Sequence, residues 1–441
     1  MQKVISSSFR DPSGYVFEEN GKIFRKITPE ADKILKQLIG SGLYQILTER
    51  RMLLPFTWWV DSCIQPEGVP FISYPYEWSF SMLKDAALLT LNTELISLKC
   101  GMQLKDASAY NVQFIRGKPI LIDHLSFYPY EEGKPWVAYR QFCQHFLAPL
   151  VLASHKGDNH IKRLAIDLDG IRLNYVTDLL PWRAKFSPGL LIHLTLHGMD
   201  GRVTKSISPS GKKISKSMLI NLIKNLRDIV ERQEWKPSRG WKDYETECNY
   251  SDIATHKKAF LVEDYLRRVN AKVIADLGCN VGLYSQVASD LGCRVIAVDK
   301  DPVCIELLYK SNDNSDILPL VVDITNPSPA IGWENTERES FLSRLKVDTI
   351  MCLALIHHLA ISSNLPLDRI ASFLAGICRN LLIEWIPKED SQIQKLLRWR
   401  EDIFPSYTKE GFEQAFASKF SIIDSKQVGD TDRSLYLMER L

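Results

Sequence analysis

The sequence predicts an α/β chain in which an N-terminal α+β domain, residues 1–235, precedes a C-terminal domain, residues 236–441, built on a parallel sheet. Two observations predict the second domain. From about residue 257, short continuous apolar runs alternate with helical patterns, which is typical of parallel strands covered by helices on both faces. The last two apolar runs have no helix between them, which indicates an antiparallel hairpin at the sheet edge.

The N-terminal domain mixes short strand-like and helix-like segments that are rich in Trp, Tyr and Pro. Alternating residues over 14–27 predict a hairpin. Residues 156–235 are mostly helical but are interrupted by 201–216, which has five basic residues, four serines and no acid. This composition predicts a mobile surface loop, with a phosphate or substrate contact as the alternative. Pro and Gly in 237–240 end the helical pattern and place the domain boundary near 235.

The C-terminal domain is predicted to have about seven strands. The predicted strands are 272–276, 294–299, 318–323, 348–355, 380–384, 420–424 and 433–438. Helices are predicted before the first three strands, at 257–269, 283–291 and 303–312. This alternation brings the carboxyl ends of the parallel strands to one edge, where open α/β sheets bind their ligands.

A glycine-rich turn follows the first of these strands. Gly278 and Gly282 allow a sharp turn and a close backbone approach to a ligand, with Asn280 between them. The helix that follows directs its free N–H groups toward an anionic group. Asp276, just before the turn, is placed to accept a hydrogen bond from a ligand ammonium. An ordinary strand–helix turn is the alternative.

Two further acids end the next two strands. Asp299 is placed to accept from both hydroxyls of a ribose, and Asp323 from the exocyclic amine of a base. The alternative for each is a simple strand-end cap. A dinucleotide fingerprint from Gly278 requires Gly at 280 and a small residue at 283, but the sequence has Asn280 and Leu283, which disfavours NAD. The predicted site therefore holds an amino acid, a ribose and adenine.

Residues 276–282, with the acids at 299 and 323, resemble the cofactor signature of class I S-adenosylmethionine-dependent methyltransferases. The resemblance covers about 240–441 and implies a Rossmann-like seven-stranded sheet with S-adenosylmethionine as cofactor. Asn280 departs from it, since Gly is frequent there. Segments 318–333 and 354–359 further resemble nodulation-protein-related bacterial methyltransferases.

Candidate catalytic residues follow the fourth and fifth strands. His357 and His358 come after the fourth, and imidazole is suited to proton transfer near neutral pH; a packing role is the alternative, and His357 is slightly favoured. Glu384 ends the fifth strand, with a surface salt bridge as its alternative. Further candidates for the acceptor pocket or a lid over it are Trp333, Trp385 and 402–407.

The N-terminal domain resembles kinases and aminoglycoside-phosphotransferase-like proteins over a short stretch. Asp106 is followed by Asn111 five residues later, and then by an apolar strand ending in Asp123. The resemblance implies that Asp106 orients a hydroxyl acceptor and that Asn111 and Asp123 hold Mg²⁺.

Several positions depart from that pattern. Leu104 stands where His is expected and His124 where Phe or Trp is usual, and the hairpin lacks a phosphate-binding glycine cluster. Arg25 or Lys26 is the candidate substitute for the nucleotide lysine. The expectation is a degenerate kinase-like domain that recognises substrate or a partner. An active kinase and an unrelated α+β domain stay open.

Composition limits the remaining function classes. With 55 basic and 53 acidic residues, no strong net charge recruits nucleic acid or an anionic membrane. Nine scattered cysteines without a CxxC pair predict neither a zinc site nor a disulfide framework, and no other metal site is predicted. No run is apolar and long enough to span a bilayer, and the first ten residues lack a signal-peptide core, so a cytoplasmic protein is expected.

The predicted function is methyl transfer to an unidentified acceptor, which is a small molecule, a glycan or a protein. The alternatives are a bifunctional kinase–methyltransferase or phosphotransferase, and a non-catalytic nucleotide-binding scaffold. Oligomeric state is not predicted.

Overall fold

The computed structural model describes residues 2–60, 62–182, 188–196, 214–237, 252–312, 315–398 and 401–441. These residues form two compact units. The first comprises Met1–Pro237 together with Ala330–Glu339, and the second comprises Ser238–Pro329 together with Ser340–Leu441. A short segment from the C-terminal half of the sequence therefore folds with the first unit.

The first unit is built on antiparallel strand pairs. Its strands are β1 (Lys3–Val4), β2 (Gly14–Glu19), β3 (Lys22–Ile27), β4 (Phe56–Val60), β5 (Cys63–Pro66), β6 (Met102–Leu104), β7 (Val112–Ile115), β8 (Lys118–Leu121) and β9 (Phe127–Pro129). The larger sheet has the order β1-β2-β3-β5-β4, and two small sheets pair β6 with β9 and β7 with β8. The pairing of β2 with β3 confirms the predicted hairpin.

One long helix forms the centre of the first unit. The α-helices of this unit are Pro29–Gly40, Leu43–Glu49, Phe80–Lys99, Tyr139–Phe142, Ala148–Lys156, Leu173–Leu179, Pro188–Leu190 and Lys216–Glu231. Phe80–Lys99 is buried on most of its surface because apolar side chains surround it. Of the predicted basic loop, residues 201–213 lie outside the described residues, and its last residue begins the helix Lys216–Glu231.

The second unit contains a mixed sheet of seven strands. These are β10 (Val273–Leu277), β11 (Arg294–Asp299), β12 (Ile317–Val321), β13 (Thr349–Cys352), β14 (Asn380–Trp385), β15 (Phe420–Gln427) and β16 (Ser434–Arg440). Their order is β12-β11-β10-β13-β14-β16-β15. The first five are parallel, whereas β16 is antiparallel to both of its neighbours.

Helices connect the parallel strands of this sheet, which confirms the predicted α/β class. The α-helices of the second unit are Asp252–Arg268, Leu283–Asp290, Pro302–Ser311, Phe341–Arg344, Leu367–Ala375, Ser391–Leu397 and Lys409–Ala417. The four inner parallel strands are almost wholly buried, as expected of strands covered on both faces. The terminal hairpin is longer than predicted, and β12 ends at Val321, so that Asp323 lies beyond the strand.

Candidate functional site

A tight turn joins β10 to the helix Leu283–Asp290. Three of its residues have left-handed backbone angles: Gly278 with φ +73°, Asn280 with φ +50° and Gly282 with φ +82°. A Cβ at Gly282 would lie 2.4 Å from the Leu308 Cδ1 atom, so a side chain there would force the buried Leu308 side chain to move. The N–H of Gly278 donates to the Val298 carbonyl at 2.8 Å, which holds the turn against β11.

Asp276 lies in the interior at the carboxyl end of β10, where it is 2% exposed. Its carboxylate accepts a hydrogen bond from the Ser285 Oγ at 2.6 Å. Burial raises the pKa of Asp276 to about 6, against the opposing effects of Ser285 and Lys258, and the charge of Asp299 adds to the rise. The carboxyls of Asp276 and Asp299 are therefore close enough to interact electrostatically.

Asp299 ties the turn to the end of β11. Its Oδ2 accepts from the N–H of Asn280 at 2.9 Å, and its Oδ1 accepts from the N–H of Asp301 at 2.9 Å. Burial raises the pKa of Asp299, and these two hydrogen bonds oppose that rise. Each oxygen uses one lone pair in these contacts, so the carboxylate keeps capacity to accept from further donors.

Asp323 lies at the same edge, beyond β12. Its Oδ1 accepts from the Thr325 N–H at 2.9 Å and from the Thr325 Oγ at 2.7 Å. The N–H of Val322 donates to the carbonyl of Asp299 at 2.9 Å, which places the backbone before Asp323 beside the end of β11. The predicted acids thus lie at the carboxyl ends of three neighbouring parallel strands, with Asp276 and Asp299 in the last residues of β10 and β11 and Asp323 just beyond β12.

The two histidines after β13 have different environments. His357 is 3% exposed, and its Nδ1 has no hydrogen-bond partner within the described ranges. Burial, followed by the effects of His358 and Arg433, lowers the pKa of His357 to about 3, so its imidazole is neutral at physiological pH. His358 is exposed, and its ring packs against that of His357 at a tilt of 38° with ring centroids 4.1 Å apart. Desolvation and then Lys300 lower the pKa of His358.

Glu384 is fully buried at the carboxyl end of β14. Its Oε2 accepts from the Lys258 Nζ at 2.7 Å and from the N–H of Ala354 at 2.8 Å. The side chains of Glu384 and Lys258 are 0% and 1% exposed, so this is a buried ion pair and not the surface salt bridge considered above. Ala354 has φ +50°, a left-handed angle that is uncommon outside glycine.

The aromatic and lid candidates have structural contacts. Trp385 is 2% exposed and stacks on Phe412 with ring centroids 5.0 Å apart, which places it in the core. Trp333 is 63% exposed and belongs to the segment that folds with the first unit. In the predicted lid, the Tyr407 hydroxyl donates to the Ile386 carbonyl at 2.9 Å, which ties that segment to the end of β14.

Sequence reasoning missed Lys258. It lies in the helix Asp252–Arg268, on the same face as the buried residues Ala254, Val262 and Tyr265. The sequence does indicate its burial: Lys258 lies four residues after Ala254 and four before Val262, so all three project from the same, apolar face of the helix. Its Nζ also lies 4.5 Å from the ring centroid of Tyr284, in a cation–π contact.

The first unit brings together the residues that resemble a kinase site. Asp106 has a raised pKa, because it is buried and because Asp123 adds a like charge. The Nδ2 of Asn111 donates to the Ser126 Oγ at 3.2 Å, and Ser126 donates in turn to Asp123. Asp106, Asn111 and Asp123 therefore form one connected cluster.

Arg25 completes this cluster from β3. Its guanidinium forms ion pairs with both Asp11 and Asp123. Burial raises the pKa of Asp123, but the charge of Arg25 and the hydrogen bonds from Ser126 and the Leu125 N–H together outweigh it, so the pKa of that carboxyl lies below its usual value. His124 is buried with its Nε2 2.6 Å from the Leu54 carbonyl, and burial lowers the pKa of His124 to about 4.

No group of three or more metal-ligating side chains is arranged to hold a metal ion in the part of the chain that the structure describes. Among the same residues, no helix is long and apolar enough to cross a membrane.

Comparisons with known proteins give a relative for the whole chain. No family model matches. The chain is 33% identical over 461 residues to "Nodulation protein NoeA" of Rhizobium meliloti (strain 1021), a match that covers 99% of this chain and 96% of the relative.

The solved structures matched in the comparison include methyltransferases. The "bifunctional kinase- methyltransferase WbdD" is 15% identical over 45% of this chain and 46% of its own, with a TM-score of 0.32, so the match spans less than half of WbdD. The N-methyltransferase NodS from Bradyrhizobium japonicum WM9 is 13% identical over 43% of this chain and 98% of its own, with a TM-score of 0.32. Magnesium protoporphyrin IX methyltransferase from Synechocystis PCC 6803, with bound SAM, is 14% identical over 46% of this chain and 89% of its own, with a TM-score of 0.32.

Proposed function

The chain belongs to the family of nodulation protein NoeA, and we propose that it is a methyltransferase whose second unit binds S-adenosylmethionine at the carboxyl ends of β10, β11 and β12. One observation carries the proposal: the glycine turn holds Asp276 and Asp299 together at the edge where open α/β sheets bind ligands. The Rossmann-like methyltransferase assignment of this sheet, and the domain limits 1–235 and 236–441, are part of the same proposal.

The residues at this edge fit the cofactor. The Asp299 carboxylate uses one lone pair per oxygen on backbone N–H groups and keeps others for ribose hydroxyls. Val281 and Leu283 are 40% and 47% exposed beside the turn, and they provide apolar surface for the nucleoside. Asp276 is assigned to the ammonium group, Asp323 to the adenine amine, and Gly278, Asn280 and Gly282 to the backbone that approaches the ligand.

When bound, the cofactor supplies a sulfonium methyl group for in-line displacement by the acceptor. The protein's contribution is to orient the acceptor and to exclude water from the reacting atoms. His358 is assigned as the group that takes a proton from a hydroxyl or amine acceptor, because its imidazole is exposed and its pKa is lowered, which keeps it neutral and able to accept. The buried His357 ring packs against the His358 ring and so helps to hold it in place. We therefore favour His358, and not His357, as the group that accepts the proton.

The acceptor is a small molecule, a glycan or a protein side chain. The direct test is to incubate the purified protein and labelled S-adenosylmethionine with fractionated host extract, and to identify the labelled product by mass. A labelled product that disappears with Asp299→Ala would support the proposal. Tight cofactor binding without transfer to any fraction would support the scaffold alternative instead.

For the first unit we propose a kinase-like module that recognises the acceptor or a partner. Arg25 supports this role because its guanidinium already neutralises Asp123, the carboxylate that the resemblance assigns to Mg²⁺. The bifunctional alternative requires ATP turnover. Turnover by the intact protein that is lost in Asp106→Ala and Asp123→Ala would establish that alternative and overturn ours.

A further inference from the structure

The buried ammonium of Lys258 is the charge that the methyltransferase proposal does not use. Lys258 is 1% exposed, and a buried charge must be compensated because transfer out of water costs several kcal/mol per ion. Its Nζ donates to the Glu384 Oε2 at 2.7 Å and also lies over the Tyr284 ring. The positive charge of Lys258 therefore acts on the carboxyl groups buried around it.

The strand register places two buried carboxylates on the face of the sheet that this lysine approaches. Asp276 pairs with Met351, and Met351 pairs with Leu382, so these three side chains share one face. Glu384, two residues after Leu382 on the same strand, projects from that face as well. Adjacent strands are about 4.8 Å apart and each residue rises about 3.3 Å, so the backbones of Asp276 and Glu384 are separated by two strand spacings across the sheet and about 6.6 Å along it. The helix that carries Lys258 packs over the same face.

The electrostatic environment agrees with this geometry. Lys258 acts on Asp276 to lower its pKa, against the larger effect of burial, which raises it. A cation close to both buried carboxylates stabilises each of them, because charges interact more strongly in the interior than in water. The polar and titratable groups that interact with Asp276 or with Lys258 are Ser285 and Tyr284 from the helix Leu283–Asp290, Asp299 from β11, Cys279 after β10, Cys352 from the opposite face of β13 and Glu384 from β14.

We propose that Lys258 is a positioning residue of the donor site, whose single buried ammonium compensates Glu384 and Asp276 together and so keeps Asp276 ionised for the ligand. Through Glu384 it also holds the N–H of Ala354, the residue with the left-handed angle that precedes His357 and His358. The role of Asp276 toward a ligand rests on the proposed function, whereas the charge compensation does not.

The first experiment tests the charge compensation by itself and uses no ligand. Lys258→Met and the matched control Lys257→Met, which removes an exposed lysine from the same helix, are compared with the wild type by thermal unfolding at acidic and at mildly alkaline pH. The melting temperature of Lys258→Met should fall further at the alkaline pH, where fewer protons are available to neutralise a carboxylate that has lost its cation. The effect of Lys257→Met should be the same at both pH values. An equal loss at both pH values for Lys258→Met would overturn the proposal.

Two further variants test the same charge. Lys258→Arg keeps the positive charge and should restore the pH dependence of the wild type. Lys258→Met with Glu384→Gln removes one of the two carboxylates, so its melting temperature at alkaline pH should exceed that of Lys258→Met alone. If Lys258→Met does not fold, the variant that combines it with Glu384→Gln and Asp276→Asn decides: its folding supports the compensation of the two carboxylates, and its failure to fold overturns it.

The second experiment tests the ligand. The dissociation constant of S-adenosylhomocysteine is measured by calorimetry as a function of pH. Lys258→Met should bind with a pH midpoint above that of the wild type, since each unit of rise in the Asp276 pKa changes the ionised fraction about tenfold below the midpoint. A weakening by the same factor at every pH would refute the link to Asp276. A wild type that binds at no pH would refute the proposed function, while the melting comparison would still decide the role of Lys258.

Discussion

Replacing Asp299 with alanine is expected to weaken S-adenosylmethionine binding by at least about tenfold. The carboxylate is assigned to the ribose hydroxyls, and a hydrogen bond to a charged group contributes about 1.5–3 kcal/mol. Since about 1.4 kcal/mol corresponds to a tenfold change in affinity, the loss of the ribose contact alone gives about 10-fold to 150-fold weaker binding. The variant also removes the acceptor for the N–H groups of Asn280 and Asp301, which loosens the turn and adds to the loss.

Calorimetry with S-adenosylhomocysteine measures this effect. Asp299→Asn separates its two sources, because the amide oxygen still accepts from one backbone N–H while the negative charge is gone. The matched control is Asp316→Ala, which removes a half-exposed carboxylate paired with Arg294 at the amino ends of β11 and β12, away from the turn. Affinity of Asp299→Ala within about twofold of the wild type, with the control equally unaffected, would refute the assignment of Asp299 to the donor site.

Three other predictions concern the turn, the histidines and the first unit. Gly282→Ala should lower the free energy of unfolding in urea by about 2–4 kcal/mol, because the left-handed angle and the 2.4 Å contact with Leu308 each disfavour a side chain. Unchanged stability would show that Leu308 does not crowd this position. His358→Ala should lower the methylation rate while keeping cofactor affinity, whereas His357→Ala should mainly lower stability, by about 1–3 kcal/mol; equal losses of rate and affinity in His358→Ala would exclude an acceptor-side role. Arg25→Met should destabilise the protein by about 3–5 kcal/mol, since it leaves two paired carboxylates uncompensated, and a neutral effect in denaturant unfolding would show that the ion pairs add nothing.

The parts of the site that depend on local sequence could be predicted. Asp276 and Asp299 lie within the last residues of their strands, and the turn from Gly278 to Gly282 follows β10 directly, so apolar runs and glycine spacing indicate their positions. The hydrogen bond from the Asn280 N–H to Asp299 follows from the same parallel order. Periodicity also predicts the strands and helices of the second unit, because each is a continuous segment with one buried pattern.

Contacts between distant residues could not be predicted in this way. Lys258 and Glu384 are 126 positions apart, and Arg25 and Asp123 are 98 positions apart, so neither pair leaves a pattern within one element. The histidines illustrate another limit: His357 and His358 are adjacent, and which ring is buried depends on the direction of the turn after β13. A single sequence contains no information on that direction beyond the residue types.

The segment Ala330–Glu339 has a consequence for how the gene can be divided. Within the first unit, Glu337 pairs with Arg10 at 3.0 Å, and the N–H of Glu339 donates to the Tyr74 hydroxyl at 3.0 Å. A polypeptide that stops at Pro237 would lack both partners, so truncation there removes part of the first unit's own structure. Joining two independent genes end to end would not produce this arrangement, because the coding sequence of the second unit is interrupted by the codons for Ala330–Glu339, which belong to the first unit. The two halves are therefore expected to be inherited, expressed and folded as a single polypeptide.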